Sequence, residues 1–136
     1  MTTFVDTNIL IYLLNDQEAF HGWAKEAVAE RRNYGPLVVC DIVYSEFSVS
    51  MEDLEKTNSA IAQLAMERLQ FTDEVLFRAG KAYQQHRQNG GSKSNVLPDF
   101  LIGAQAELED APLVTNDQKN YKTYFPKLTI IQPPQA

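Results

Sequence analysis

The sequence predicts an α/β fold: one domain over residues 1–136, with a mainly parallel central sheet of about four to five strands flanked by helices on both faces. Three observations predict this class. Short apolar runs alternate along the chain with longer stretches of helical periodicity. No linker or internal repeat divides the 136 residues, a length that suits a single domain. Strands that alternate with helices generally pair in parallel, with helices covering both faces of the sheet.

The first third of the chain contains two predicted strands. Thr3–Val5 is a short apolar run typical of a buried strand, and residues 8–14 have the pattern of a helix. Apolar residues recur at helical spacing over residues 17–32, which predicts a second helix. The sequence Asn-Tyr-Gly-Pro at 33–36 ends that helix, and the β-rich run Leu37–Cys40 predicts the second strand.

The middle of the chain is predicted to be mostly helical. Asp41 is expected to cap a helix over residues 42–51, and apolar spacing predicts a further helix over residues 52–68. Residues 69–71 form a candidate short strand. A long helix is then expected over residues 72–88, with a threonine suited to N-capping at its start and two acids in its first turn.

The last third of the chain holds two more predicted strands. Residues 89–92 break the preceding helix, and Pro98 suits the first turn of a helix that reaches Glu109. Apolar runs at residues 113–115 and 128–131 predict the remaining strands. In such sheets ligands bind beyond the carboxyl ends of the strands.

The charge distribution is uneven. The net charge of −6 argues against nonspecific coating of duplex DNA. The acids concentrate in the first half of the chain. Between residues 75 and 98 no carboxylate occurs, and the basic residues there are Arg78, Lys81, Arg87 and Lys93. Lysines again follow Asp117. Two interpretations remain open: a solvated helix face with a basic tail, or a surface that attracts a polyanion.

The compartment is predicted from cysteine usage and hydropathy. Cys40 is the single cysteine, so no intramolecular disulfide can form, which is typical of a reducing compartment. The N-terminus has no signal-peptide pattern. No apolar run approaches the ~20 residues that span a bilayer. We therefore expect a cytoplasmic protein with no membrane contact.

Four acids lie where the predicted topology could bring them together. Asp6 follows the first strand in VDTNIL, and Asp117 follows a later strand in LVTNDQ. Glu46 lies near the start of the helix after the second strand, and Asp99 opens its helix directly after a proline. Each has a purely structural alternative: Asp6 as an N-cap, Asp99 as a first-turn acid, Glu46 on an exposed helix face, and Asp117 in an Asx-turn.

Convergence of these carboxylates would have a chemical consequence. Several carboxylates in close proximity repel one another, so at least one pKa would rise unless a cation were bound. Mg²⁺ and Mn²⁺ prefer oxygen ligands of this kind. A zinc site is not indicated, because His21 and His86 are isolated in sequence and Cys40 stands alone.

Four segments resemble the PIN-domain ribonucleases, and among them the VapC-type toxins of toxin–antitoxin pairs. They are FVDTNIL, VYSEF, LPDFLIGAQA and LVTNDQKNYKTYFPKLTIIQP, and together they extend over nearly the whole chain. Their order and spacing carry the resemblance, since DTN alone is a weak motif. Asn116 departs from the pattern, because a basic residue is common at that position.

The resemblance implies a metal-dependent endoribonuclease with Mg²⁺ or Mn²⁺ as its cofactor. Asp6, Asp99 and Asp117 match the main metal ligands of the family, and Glu46 matches a further ligand or a base that orients water. These four are thus the candidate catalytic and metal-binding residues. Smaller polar residues that support such a site are matched by Asn8 and Thr115. The basic residues that are candidates for RNA contact are Arg87, Lys93 and Lys119.

The resemblance also implies partners. The expected substrate is RNA, either tRNA or another structured or single-stranded RNA. The expected inhibitor is a cognate antitoxin protein that covers the site, and a homodimer is expected. Apolar side chains of the early helices, such as Ile11, Leu14 and Trp23, could contact either partner or lie in the core.

Other classes fit less well. A PIN-like domain without catalysis, serving as an RNA-binding or regulatory scaffold, is the main alternative. An aspartyl-phosphate phosphatase would have a second aspartate at the position of Asn8. A receiver domain with Asp41 as its phosphoacceptor would leave Asp99 unexplained. A dinucleotide-binding module would have a glycine-rich first turn, which DTNIL lacks.

Overall fold

The computed structural model describes residues 1–91 and 96–134 and confirms the α/β class. Within these ranges the chain forms five strands, all paired in parallel. The strands are β1 (Thr3–Val5), β2 (Leu37–Cys40), β3 (Met66–Leu69), β4 (Leu113–Val114) and β5 (Ile130–Ile131). They lie in the order β3-β2-β1-β4-β5.

Helices occupy both faces of this sheet. They are α1 (Thr7–Leu14), α2 (His21–Arg32), α3 (Asp41–Ser48), α4 (Leu54–Gln63), α5 (Asp73–Gln88), α6 (Leu97–Leu108) and α7 (Lys119–Tyr124). The chain moves from β1 to β3 in one direction across the sheet and from β3 through β4 to β5 in the other. Right-handed crossovers therefore place α1 to α4 on one face and α5 to α7 on the opposite face. No helix in the described part of the chain is long and apolar enough to cross a membrane.

Two predicted boundaries are wrong because other contacts override helical periodicity: a local turn in the first case and pairing with a neighbouring strand in the second. The second helix begins at His21 rather than at residue 17, because Asn15 accepts the Gln17 N–H at 3.0 Å and the chain turns there. The helix predicted over residues 52–68 ends at Gln63. Ala65 then adopts a φ of 52°, and the following residues pair with β2 as β3 instead of forming a strand at 69–71.

Smaller differences concern the ends of elements. Asp41 is the first residue of α3 rather than its cap, and its carboxylate contacts Arg68 at 3.3 Å. The short helix α7 was not predicted. Thr72 caps α5 as expected, since its hydroxyl accepts the Val75 N–H at 3.2 Å.

Arg78 joins the three helices of one face. Its Nε lies 3.2 Å from a carboxylate oxygen of Glu107 on α6, and its Nη2 donates to the Tyr124 carbonyl on α7 at 2.8 Å. Its guanidinium carbon also lies 4.7 Å from the centre of the Phe125 ring. Arg78 therefore has a structural role that links these helices.

Candidate active site

The carboxyl ends of β1 and β4 lie side by side, and the chain leaves them in opposite directions. From β1 it enters α1 on one face, and from β4 it runs to α7 on the other face. Such a reversal opens a crevice, which is where open parallel sheets bind ligands. Asp6 stands directly after β1, and Thr115 stands directly after β4.

Asp6 is buried in this crevice and held by three hydrogen bonds. It is 6% exposed. Its Oδ1 accepts the Thr7 N–H at 2.7 Å, so the side chain does cap α1. Its Oδ2 accepts the hydroxyl of Thr115 at 2.7 Å and the hydroxyl of Tyr121 at 3.0 Å. The carboxylate is therefore fixed by α1, by the segment after β4 and by α7.

Electrostatic effects connect three aspartates at this site. Burial raises the pKa of Asp6 above its ordinary value of 3.8, and the charge of Asp117 adds to this rise, while the three hydrogen bonds oppose it. Burial also raises the pKa of the Tyr121 phenol, and the carboxylates of Asp6, Asp99 and Asp117 raise it further. The charges of all three aspartates therefore act on one phenol.

Glu46 reaches the same region from α3. Its Oε1 accepts the Thr7 hydroxyl at 2.7 Å, and Thr7 is the residue next to Asp6. Glu46 is half-buried rather than on a fully exposed helix face. Glu46 is thus coupled through Thr7 to the start of α1.

The segment after β4 is organised by short polar contacts. The Asp117 N–H donates to the Thr115 hydroxyl at 3.0 Å, and the exposed Asp117 carboxylate accepts the Lys119 N–H at 3.3 Å. The Asn116 N–H donates to Asn8 Oδ1 at 3.3 Å. These contacts are compatible with a supporting role for both Asn8 and Thr115.

Asn116 itself turns toward α1. Its Nδ2 donates to the Tyr12 hydroxyl at 2.9 Å. The amide that replaces the more common basic residue is therefore engaged in a contact within the protein.

The other predicted residues lie around this crevice or outside it. Asp99 lies in the first turn of α6 and is half-buried. Arg87 is exposed in the last turn of α5, and Lys119 is exposed at the start of α7. Lys93 falls outside the described residues.

The two histidines contact residues outside the carboxylate site, and the cysteine is buried at the end of β2. His21 Nδ1 lies 2.7 Å from the Tyr12 carbonyl oxygen. His86 packs edge-on against the rings of Phe100 and Tyr124. Cys40 is buried, and burial raises its pKa to about 12.

The donor set fits a hard divalent cation in its chemistry. Carboxylate oxygens are the ligands that Mg²⁺ and Mn²⁺ prefer. A cation would offset both the burial of Asp6 and its repulsion by Asp117. In residues 1–91 and 96–134 no three Asp, Glu, His or Cys side chains could hold a metal ion as they stand. Binding therefore requires a side-chain movement, for which the exposed Asp117 is well suited.

Two residues of the site were missed by sequence reasoning. Thr7 links Asp6 to Glu46, and Tyr121 donates to Asp6 from α7. Thr7 could have been predicted from its place between the candidate site residues Asp6 and Asn8 in DTN. For Tyr121 the only signal was a hydroxylated aromatic residue one helical turn after Asp117.

We expect Thr115→Val to weaken both fold and site. The substitution keeps the side-chain shape but leaves Asp6 Oδ2 short of a donor and the Asp117 N–H without its acceptor. Leaving buried polar groups unpaired costs about 1–3 kcal/mol. Urea unfolding measures this decrease, and Thr123→Val, at an exposed threonine on α7, is the control. Equal stability of the two variants would mean that the hydrogen bonds of Thr115 with Asp6 and Asp117 do not stabilise the fold.

A family model for the PIN domain matches residues 3–126, so the chain belongs to the PIN domain family. It is 28% identical over 127 residues to ribonuclease VapC2 of Rickettsia felis, covering 90% of this chain and 91% of that protein. Among solved structures it resembles VapBC2 of Rickettsia felis bound to a promoter DNA fragment, with a TM-score of 0.76, 24% identity and coverage of 98% of this chain and 100% of that chain. It also resembles a toxin–antitoxin complex from Klebsiella pneumoniae, with a TM-score of 0.70, 21% identity and coverage of 98% of this chain and 99% of that chain. These matches confirm the family and the fold predicted from the sequence.

Proposed function

We propose that this chain is a metal-dependent endoribonuclease that hydrolyses RNA phosphodiester bonds and serves as the toxin of a type II toxin–antitoxin pair. One observation carries the proposal. Asp6 is buried and held by three hydrogen bonds directly after β1, and the charges of Asp99 and Asp117 act together with that of Asp6 on the Tyr121 phenol. The similarity to a protein named ribonuclease VapC2 supports RNA as the substrate.

We assign a different role to each group of side chains. Asp6, Asp99 and Asp117 would hold Mg²⁺ or Mn²⁺. When bound, the cation lowers the pKa of a coordinated water and neutralises charge on the phosphoryl oxygens. Glu46 accepts the Thr7 hydroxyl with one oxygen, and its other oxygen would orient the attacking water or accept its proton. A thiolate nucleophile is disfavoured, because burial raises the pKa of Cys40 to about 12.

The partners follow from the same proposal. We propose a cognate antitoxin protein as inhibitor, in keeping with the toxin–antitoxin complex that this fold resembles. We also propose a homodimer, a single domain over residues 1–136 and a cytoplasmic location. Leu14 is 45% exposed on α1 and offers an apolar contact to a partner, whereas Ile11 and Trp23 are half-buried.

The test is cleavage of total cellular RNA by purified, antitoxin-free protein with Mg²⁺ or Mn²⁺, followed by mapping of new 5′ ends. Discrete cuts that EDTA and Asp6→Asn both abolish would support the proposal and identify the target RNA. RNA left equally intact by the wild type and Asp6→Asn, with both folded, would favour a noncatalytic RNA-binding scaffold.

We expect Lys119→Glu and Arg87→Glu to weaken RNA binding if these residues contact phosphates. Removal of one phosphate contact should reduce the slope of log Kd against log salt concentration by about one. Lys25→Glu is the matched control, because Lys25 is exposed on α2 at the opposite face of the sheet. Fluorescence anisotropy with a labelled RNA in EDTA measures binding without cleavage. An equal slope in all three variants would exclude both residues from the interface.

A further inference from the structure

The hydrogen bonds on Asp6 are unequally shared between its two oxygens. An ionised carboxylate has about four lone-pair positions. Oδ1 accepts one N–H, from Thr7 at 2.7 Å. Oδ2 accepts two hydroxyls, from Thr115 at 2.7 Å and from Tyr121 at 3.0 Å. Both positions of Oδ2 are therefore used, whereas Oδ1 keeps one position for a further partner.

We propose that Tyr121 is a positioning residue that makes Asp6 offer a single oxygen, Oδ1, to the divalent cation and so favours Mg²⁺ and Mn²⁺ over Ca²⁺. This inference rests on the proposed function, since it concerns the same site. Ca²⁺ takes about six to eight oxygens and readily accepts both oxygens of one carboxylate, whereas Mg²⁺ requires a near-octahedral set of single oxygens. A carboxylate restricted to one oxygen suits the smaller ion and removes a ligand from the larger one.

The phenol is well placed to impose this restriction. Tyr121 is fully buried, so its ring cannot swing away when a cation enters. The ring packs against the backbone of α6 at Gly103, where a Cβ would come within 3.1 Å of Tyr121 Cδ1. The hydroxyl is consequently directed at Asp6 by helix packing. Removing only the oxygen, as in Tyr121→Phe, keeps this packing and frees one position on Oδ2.

The test measures metal selectivity without RNA and without turnover. Affinities for Mg²⁺, Mn²⁺ and Ca²⁺ are determined by isothermal titration calorimetry on the full chain, free of antitoxin, as wild type, Tyr121→Phe and Tyr124→Phe. Tyr124 is the matched control, because it is a buried tyrosine of the same helix whose hydroxyl lies 3.2 Å from His86 Nδ1 instead. Groups that orient metal ligands change metal affinity by about 10–100-fold.

We expect the ratio of Ca²⁺ to Mg²⁺ affinity to rise about tenfold in Tyr121→Phe and to stay unchanged in Tyr124→Phe. Thr115→Val, which removes the other donor to Oδ2, should shift the ratio in the same direction and provides a second variant if Tyr121→Phe does not fold. An unchanged ratio in folded Tyr121→Phe, or equal changes in both tyrosine variants, would overturn the inference and leave the proposed function standing. A wild-type chain that binds none of the three ions would contradict the proposed function and the inference together.

Discussion

Asp6→Asn is expected to lower RNA cleavage by more than about 100-fold, because removal of a group that merely supports a metal ligand already costs about 10–100-fold. Without metal, the stability of the same variant is expected to fall less than that of the wild type between low and neutral pH. Burial raises the pKa of Asp6 above 3.8, so the charged form is disfavoured in the folded chain. Asparagine still caps α1, since Asn and Asp are similarly good N-caps.

The contribution of Asp6 to the stability of the wild type should decrease as the pH rises from acidic toward neutral values. A raised pKa means that the folded chain holds the proton on Asp6 more tightly than the unfolded chain does. The contribution of Asp6 to the free energy of unfolding therefore falls as the pH rises above 3.8, and it stays low above the folded pKa. This fall is absent in Asp6→Asn, so the stability difference should grow from low pH toward neutral pH.

Thermal unfolding from about pH 4 to about pH 8, with and without Mg²⁺, measures the effect. The metal should stabilise the wild type more than Asp6→Asn, because Asp6 is a proposed ligand. Asp53→Asn is the matched control: Asp53 is also an aspartate N-cap, accepting the Lys56 N–H at 2.7 Å, but it is exposed on α4. An Asp6→Asn chain that still cleaves RNA, or whose stability falls with rising pH as much as that of the wild type, would contradict this account.

The elements predicted correctly are those whose local pattern matches their final environment. The strands β1 and β2 are buried throughout, and their short apolar runs indicate this directly. By contrast, β3 has one buried residue followed by three exposed ones. Such an edge strand has no strand signature of its own. Pairing with β2 determines it, and this contact is invisible to a local pattern.

Some residues of the candidate site could likewise be predicted from local sequence, and others could not. Carboxylates that follow strands could be placed in one crevice, because parallel strands share the edge at which they end. Tyr121 lies 115 residues from Asp6 and was not predicted, since their contact depends on how α7 packs against α6. Thr7 was missed because its partner Glu46 lies 39 residues away on α3. Long-range side-chain pairing leaves little trace in one sequence.

Gly103→Ala is expected to destabilise the fold and weaken the site, because it disturbs the packing that directs Tyr121 toward Asp6. A Cβ at this position would lie 2.7 Å from Cδ2 and Cε2 of Phe125 and 3.1 Å from Cδ1 of Tyr121. Both rings are fully buried. Neither can retreat into solvent, so α7 must shift away from α6. Overpacking of this kind costs about 1–3 kcal/mol.

Urea unfolding and metal titration should report the two consequences of Gly103→Ala together: a lower free energy of unfolding and a weaker affinity for Mn²⁺. Gly80→Ala is the matched control, because Gly80 lies within α5 and a Cβ there meets nothing within 4 Å. That control should gain about 0.5–1 kcal/mol, the helix-interior advantage of alanine over glycine. Adding Phe125→Leu to Gly103→Ala should recover part of the stability, since the two sites are in contact. Equal stability of Gly103→Ala and Gly80→Ala would mean that the close approach at Gly103 does not hold α7 in place. Packing at Gly103 would then not explain why the Tyr121 hydroxyl is directed at Asp6.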